Sequence, residues 1–195
     1  MFFSGAMAGL MVIGIVKVFA GEQLVEAAGM NGVLTEPQTT ELLLKGAAAV
    51  GWLAIFNAVG RVFWGFMSDR VGRTPSFVAM FTLQAVMMFL LIGMKSELSL
   101  AIAASVVGFN FGGNFALFPS ATADQFGARN LGVNYGWVFT SYGIAGVVGI
   151  AAGNAAKTMT GSYGAAFVVA GVLCLISAAL AVGLGVMTRR STQAA

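Results

Sequence analysis

The sequence has 195 residues and a net charge of only +3; 58% of its residues are hydrophobic, 9% are charged, and its mean hydropathy is +0.90. Soluble domains carry about 25% charged residues, so this composition indicates a protein whose solvent is lipid. With one cysteine and no histidine, the chain offers no disulfide framework, zinc site or histidine-based acid–base catalysis. We therefore expect no metal, no cofactor, no nucleic-acid partner and no enzymatic activity.

Six segments are long and apolar enough to cross a bilayer, which takes about 20 residues each. We predict transmembrane helices at residues 3–20, 41–68, 75–94, 98–118, 131–156 and 163–187. Pro119 is predicted to end the fourth helix, and the only long connection is predicted to run from Gly21 to Thr40. The predicted fold class is an all-α integral membrane protein in contact with lipid.

The orientation follows from the lysines and arginines, which favour the cytoplasmic side. The loops after the second and fourth helices and the C-terminal tail carry one group: Arg70, Arg73, Arg129, Arg189 and Arg190. The opposite side carries Lys45, Lys95 and Lys157. We predict a multi-pass protein of the cell membrane whose C-terminus is cytoplasmic.

Arg61 is the main candidate for chemistry. It precedes Asp69 by eight residues, which places it about 12 Å inside the second helix at 1.5 Å per residue. A charged side chain in hydrocarbon costs at least about 2.5–3.5 kcal/mol and commonly marks function. Asn57 lies one turn earlier and Trp64 three residues later, and the guanidinium fork suits a carboxylate ligand. The alternative is an arginine that braces backbone carbonyls or pairs with an acid elsewhere.

The fourth and fifth helices carry further polar side chains. Asn110 and Asn114 share one face, and they either bind a ligand or join helices by hydrogen bonds. Asn134, Ser141 and Tyr142 fall on one side of the fifth helix, where Tyr142 offers a hydroxyl and a ring to a cavity or to a neighbouring helix.

Lys17 lies near the end of the first helix, where a lysine either snorkels to the surface or lies on a substrate path. No aspartate or glutamate lies within the core of a predicted helix. A proton-coupled mechanism would need a titratable group from elsewhere, so the sequence leaves antiport and symport open.

The loop between the second and third helices, Gly65-x-x-x-Asp69-Arg70-x-Gly72-Arg73, resembles the signature loop of the major facilitator superfamily. The resemblance implies a carrier built from two six-helix halves that rock about a midplane site. It also implies that this loop acts as a cytoplasmic latch during the conformational change.

Other segments are similar to the oxalate/formate antiporter family within that superfamily: Gly9 to Lys17, Gly60-Arg61, Phe109 to Gly113 with Phe118-Pro119-Ser120, and Asn134-Tyr135-Gly136. This implies that the chain is the C-terminal half, helices 7–12, and that its partner is the missing N-terminal half or a second chain. It also implies that Arg61 binds a carboxylate.

One departure affects the substrate. Where that family has a lysine in its eleventh helix, this chain has Tyr142 within Thr140-Ser141-Tyr142-Gly143. A single buried cation favours a small organic anion with one charge, so we predict transport of a monocarboxylate such as formate, lactate or pyruvate. The alternatives are oxalate/formate exchange, or a channel-like or non-transporting six-helix membrane protein.

Overall fold

The computed structural model describes residues 1–30 and 32–193, the last eight of them as backbone only. Its six helices are α1 Phe2–Gly29, α2 Glu36–Val71, α3 Arg73–Leu91, α4 Glu97–Phe126, α5 Leu131–Thr160 and α6 Gly164–Gln193, with a 3-10 turn at Ala128–Asn130. Each helix holds a stretch long and apolar enough to cross a membrane, and the described residues contain no strand. The predicted all-α membrane fold with six spans is confirmed. The side chains of Arg189 and Arg190, used to predict orientation, lie outside the described residues.

The first connection is much shorter than predicted, because α1 continues past Ala20 to Gly29. This extension carries Glu22, whose carboxylate lies 2.6 Å from the Lys157 ammonium of α5. At the other end of the connection, Thr35 and Gln38 form a capping box that starts α2. The Glu22–Lys157 ion pair and the capping box therefore stabilise helical structure in a segment whose polar residues predicted a loop.

The prediction that Pro119 ends the fourth helix is wrong, since α4 continues through it to Phe126. Proline removes one backbone hydrogen bond, here to the Phe115 carbonyl, and membrane helices nonetheless tolerate it. The hydroxyls of Ser120 and Thr122 donate to the Ala116 and Phe118 carbonyls at 2.9 and 2.7 Å, which adds hydrogen bonds to the turns around Pro119. The added turns carry Asp124, which pairs with Arg73 of α3 at 2.8 Å.

The central helices of the bundle are α1 and α4. More than half of the apolar span of each is buried, against only 17% for α2 and for α5. Gly9 of α1 lies against Phe111 of α4, while α3 and α6 pack on each other behind them, with Gly171 against Phe89. α2 and α5 are therefore exposed along most of their length, and α1 lies between them. We call this exposed face of the bundle the open side.

Candidate functional site

The helices α2 and α4 touch backbone to backbone along three glycines, which we call the glycine seam. Each faces a carbonyl group of the other helix: Gly60 faces Phe109, Gly108 faces Leu53, and Gly112 faces Asn57. A methyl group added at any of the three would overlap that carbonyl. Small residues permit such close approach in membranes, and here the approach fixes how far α2 stands from α4.

Arg61 lies on the open side of this helix pair. Its Nε donates to the Asn57 side-chain oxygen at 3.2 Å, and its Cζ lies 4.8 Å from the centroid of the Phe115 ring. Asn57 is one turn away on the same helix, so the seam that positions the Asn57 backbone also positions the guanidinium. No carboxylate within the described part of the chain pairs with Arg61, and its two terminal nitrogens make no hydrogen bond there.

The Phe115 ring under Arg61 belongs to a group of four rings, which we call the aromatic cluster: Phe111, Phe115, Phe139 and Tyr142. Phe115 meets the edge of Tyr142 with centroids 5.6 Å apart, and Phe139 stacks on Tyr142 at 4.8 Å. The cluster joins α4 to α5. A cation over an aromatic face, with more rings nearby, has the chemistry to bind a small anion that has an apolar part.

Asn110 and Asn114 point away from Arg61, into the bundle. Asn110 is 1% exposed and donates to the Gln84 side-chain oxygen of α3 at 3.1 Å. Asn114 is 2% exposed, donates to carbonyls of its own helix, and lies against Gly5 of α1. These contacts favour a structural role over ligand binding: the Asn110 hydrogen bond joins α4 to α3, and those of Asn114 stay within α4.

The remaining predicted residues occupy three different environments. Trp64 is buried between α2 and α4, where its ring lies against Gly113 and 5.6 Å from the Phe109 ring. Ser141 donates to the Val138 carbonyl of its own helix, and Asn134 is half-buried near the start of α5. The structure therefore places Asn57 in contact with Arg61, and it connects Tyr142 to Arg61 through the Phe115 ring. Among the described residues, Trp64, Ser141 and Asn134 make no hydrogen bond or ring contact with Arg61 or Asn57.

The predicted signature loop forms an ion-pair network at one end of the bundle. The Arg73 guanidinium contacts Asp69 at 2.7 Å and Asp124 at 2.8 Å, and it also donates to Ser68. Arg70 lies instead over the Phe66 ring, with Cζ 4.1 Å from its centroid. A planar fork with several donors suits this shared geometry, and the network ties the ends of α2, α3 and α4 together.

Gly65 and Gly72 of the loop have separate roles. Gly72 has φ of +95°, a conformation that L side chains rarely adopt, and it lets the chain turn between α2 and α3. Gly65 lies in α2 with only ordinary contact to Ala116.

Two parts of the site are not predicted from the sequence. Asp124 lies beyond Pro119, the predicted end of the fourth helix, so its pairing with Arg73 does not follow from the sequence. Phe115 and Phe139 were not singled out as site residues, although Phe111 and Phe115 stand one turn apart and flank the asparagines. Their common face could have been noticed from that spacing.

Residues 1–194 of the chain match the family Major Facilitator Superfamily. The chain is 40% identical over 111 residues to Apicoplast pyruvate carrier 1 of Toxoplasma gondii, and the aligned region covers 56% of this chain and 19% of that protein. It is 33% identical over 129 residues to the Oxalate:formate antiporter of Oxalobacter formigenes, covering 65% and 31%. It is 30% identical over 148 residues to the uncharacterized MFS-type transporter YhjX of Escherichia coli K12, covering 75% and 33%. These matches span no more than a third of the length of the relatives.

Proposed function

The chain belongs to the major facilitator superfamily, and we propose that it is the C-terminal six-helix half of a carrier for small monocarboxylates that works by alternating access. The observation that carries this proposal is the Arg61 guanidinium, which is held by Asn57 and Phe115 with its terminal nitrogens directed to no described partner. A preoriented, unpaired cation on an open membrane face is suited to a carboxylate. The names of two relatives, a pyruvate carrier and an oxalate:formate antiporter, support that substrate class.

The need for a second half follows from the exposure of Arg61. Exposed apolar residues on α2 and α5, such as Val62 and Trp137, would be stable against lipid. An exposed arginine would not, because facing hydrocarbon costs at least about 2.5–3.5 kcal/mol. The open side therefore requires protein or a wet cavity opposite it. We assign this place to the N-terminal half of the same carrier, with a second copy of the chain as the alternative.

The charge of the site favours a monoanion. Within the described part of the chain, Arg61 is the only cation placed beside the aromatic cluster, and the position where the resemblance expects a lysine is Tyr142. A dianion such as oxalate would bring one uncompensated charge into a site of low polarity, which is costly. A monocarboxylate would be neutralised by Arg61, with its apolar part against Phe115 and Tyr142.

Two further assignments belong to this proposal. The Asp69–Arg73–Asp124 network serves as the latch that stabilises one of the two accessible states, with Gly65, Arg70 and Gly72 shaping the loop. The carrier lies in the cell membrane with this loop and the C-terminus in the cytoplasm, as the bias of positive residues predicts.

The test is carboxylate uptake by proteoliposomes that contain the full-length gene product. Arg61→Gln should abolish saturable uptake of a monocarboxylate while the protein remains folded by thermal unfolding, and Lys45→Gln, which removes an exposed ion pair with Glu41, should leave uptake unchanged. Undiminished uptake by Arg61→Gln would refute a binding role for Arg61. Preferred uptake of oxalate by the wild type would favour the dianion alternative.

The length of the gene gives an independent test of the half-carrier assignment. A reading frame that encodes six further apolar helices before Met1 would support it. A gene that encodes only these 195 residues would favour a dimer of identical chains instead. Crosslinking in the membrane should then detect that dimer.

A further inference from the structure

The part of α1 between α2 and α5 presents one exposed face. Its exposed residues are Ile13, Gly14, Lys17 and Val18, whose spacing places them on a single side of a helix. Gly14 lies beside Ile150 of α5, and the Lys17 carbonyl lies beside Gly46 of α2. This face is therefore the floor of a groove, with α2 and α5 as its walls, and the groove extends from Lys17 towards the aromatic cluster.

Lys17 carries a charge that no described residue neutralises. Each of the other three lysines pairs with a carboxylate: Lys45 with Glu41 at 2.9 Å, Lys95 with Glu26 at 2.7 Å, and Lys157 with Glu22 at 2.6 Å. Lys17 is exposed and makes no ion pair within the described part of the chain. Its ammonium is therefore available to an anion, whereas the other three are already paired.

Lys17 and Arg61 are attached to the bundle at different levels. Lys17 lies level with Gly46, and from there to Arg61 is fifteen residues of α2, or about 22 Å of helix at 1.5 Å per residue. The two cations therefore occupy successive positions along the groove.

We propose that Lys17 is an anion-capture site at the groove end opposite the Asp69–Arg73 loop, where a carboxylate is held before it moves on to Arg61. This inference rests on the proposed carboxylate transport. An ammonium on a flexible stem binds an anion loosely and releases it readily, which suits a transient site. A cation at the entrance raises the local concentration of anions and hence the rate of encounter. A lysine that only snorkels into lipid headgroups would have neither effect.

The experiment measures uptake by the full-length carrier in intact cells and in inverted membrane vesicles, with formate, lactate and pyruvate as probes. Lys17→Gln should raise KM about tenfold at low ionic strength, from one side of the membrane only, and leave the maximal rate unchanged. The effect should nearly vanish at about 1 M salt, where the Debye length falls to about 3 Å. Lys17→Arg should restore the wild-type KM, and Lys45→Gln should behave as wild type.

The outcomes separate this inference from the function on which it rests. If uptake depends on Arg61 while Lys17→Gln keeps the wild-type KM from both sides at low salt, only the capture site is refuted. A loss of maximal rate from both sides, with no salt dependence, would assign Lys17 a structural role and would also refute it. If the wild-type carrier moves no carboxylate, the proposed function fails and the capture site fails with it.

Discussion

Replacing Gly112 by alanine should weaken substrate binding at Arg61 although it removes no polar group. The added methyl would lie 3.0 Å from the Asn57 carbonyl carbon and 3.1 Å from the Arg61 backbone nitrogen, and nearer still to the Asn57 oxygen. Carbon atoms pack best at about 3.5–4.0 Å, and the Asn57 oxygen is the closest of the three atoms, so α2 and α4 must separate by roughly 1 Å or more. Phe115 belongs to α4 and Arg61 to α2, so this movement separates the guanidinium from the ring that supports it.

Two magnitudes follow from that shift. Overpacking of this kind costs about 1–3 kcal/mol of stability, which leaves most membrane bundles folded. A displacement of about 1 Å in a binding site can cost about 100-fold in function, so we expect the KM for a monocarboxylate to rise by at least about tenfold. The assay combines uptake kinetics with thermal unfolding in detergent, so that binding and folding are measured separately.

The matched control is Gly51→Ala, because Gly51 lies in α2 with nothing within 4 Å of an added methyl group. That variant should retain the wild-type KM and be no less stable, since alanine favours a helix over glycine by about 1 kcal/mol. A Gly112→Ala carrier with wild-type KM would refute the claim that the glycine seam positions Arg61. Equal damage from both substitutions would show that the effect is not specific to the seam.

Four further substitutions have defined outcomes. Tyr142→Lys should raise oxalate uptake and lower lactate uptake, because it adds the second cation that a dianion needs. Asn110→Ala should lower the thermal stability in detergent, since Gln84 loses its partner inside the bundle and membrane hydrogen bonds are worth about 0.6–2 kcal/mol each. Removing the shared guanidinium with Arg73→Gln should change the proportions of inward- and outward-open carrier, as measured by labelling of cysteines introduced at the two ends, and Asp124→Asn should act in the same direction.

Each of these tests has a control. Tyr142→Phe should keep the preference for lactate, and a gain of oxalate uptake in that variant would refute the charge argument. Combining Asn110→Ala with Gln84→Ala should cost less than the sum of the two single changes, and strict additivity would show that the pair is not coupled. Glu41→Gln breaks an exposed pair within α2 and should leave the conformational proportions unchanged.

The sequence predicts those parts of the fold that local composition determines. Six apolar stretches predict six helices, and the Gly65-to-Arg73 spacing predicts a charged turn that the structure contains. The lengths of α1 and α4 could not be predicted in this way, because contacts distant in sequence hold their extensions. Glu22 and Glu26 make the end of α1 polar, and each is paired with a lysine distant in sequence, Lys157 of α5 and Lys95.

The same limit applies to the candidate site. Asn57 and Asn110 look alike in sequence, since each is an amide in an apolar helix one turn from another polar residue. The structure separates them: Asn57 lies beside Arg61 on the open side, while Asn110 reaches Gln84 inside the bundle. Spacing along one helix shows which residues share a face, but only the neighbouring helices determine where that face points. Here the glycine seam makes that choice, because it fixes which sides of α2 and α4 meet and so leaves Arg61 and Phe115 together on the open side.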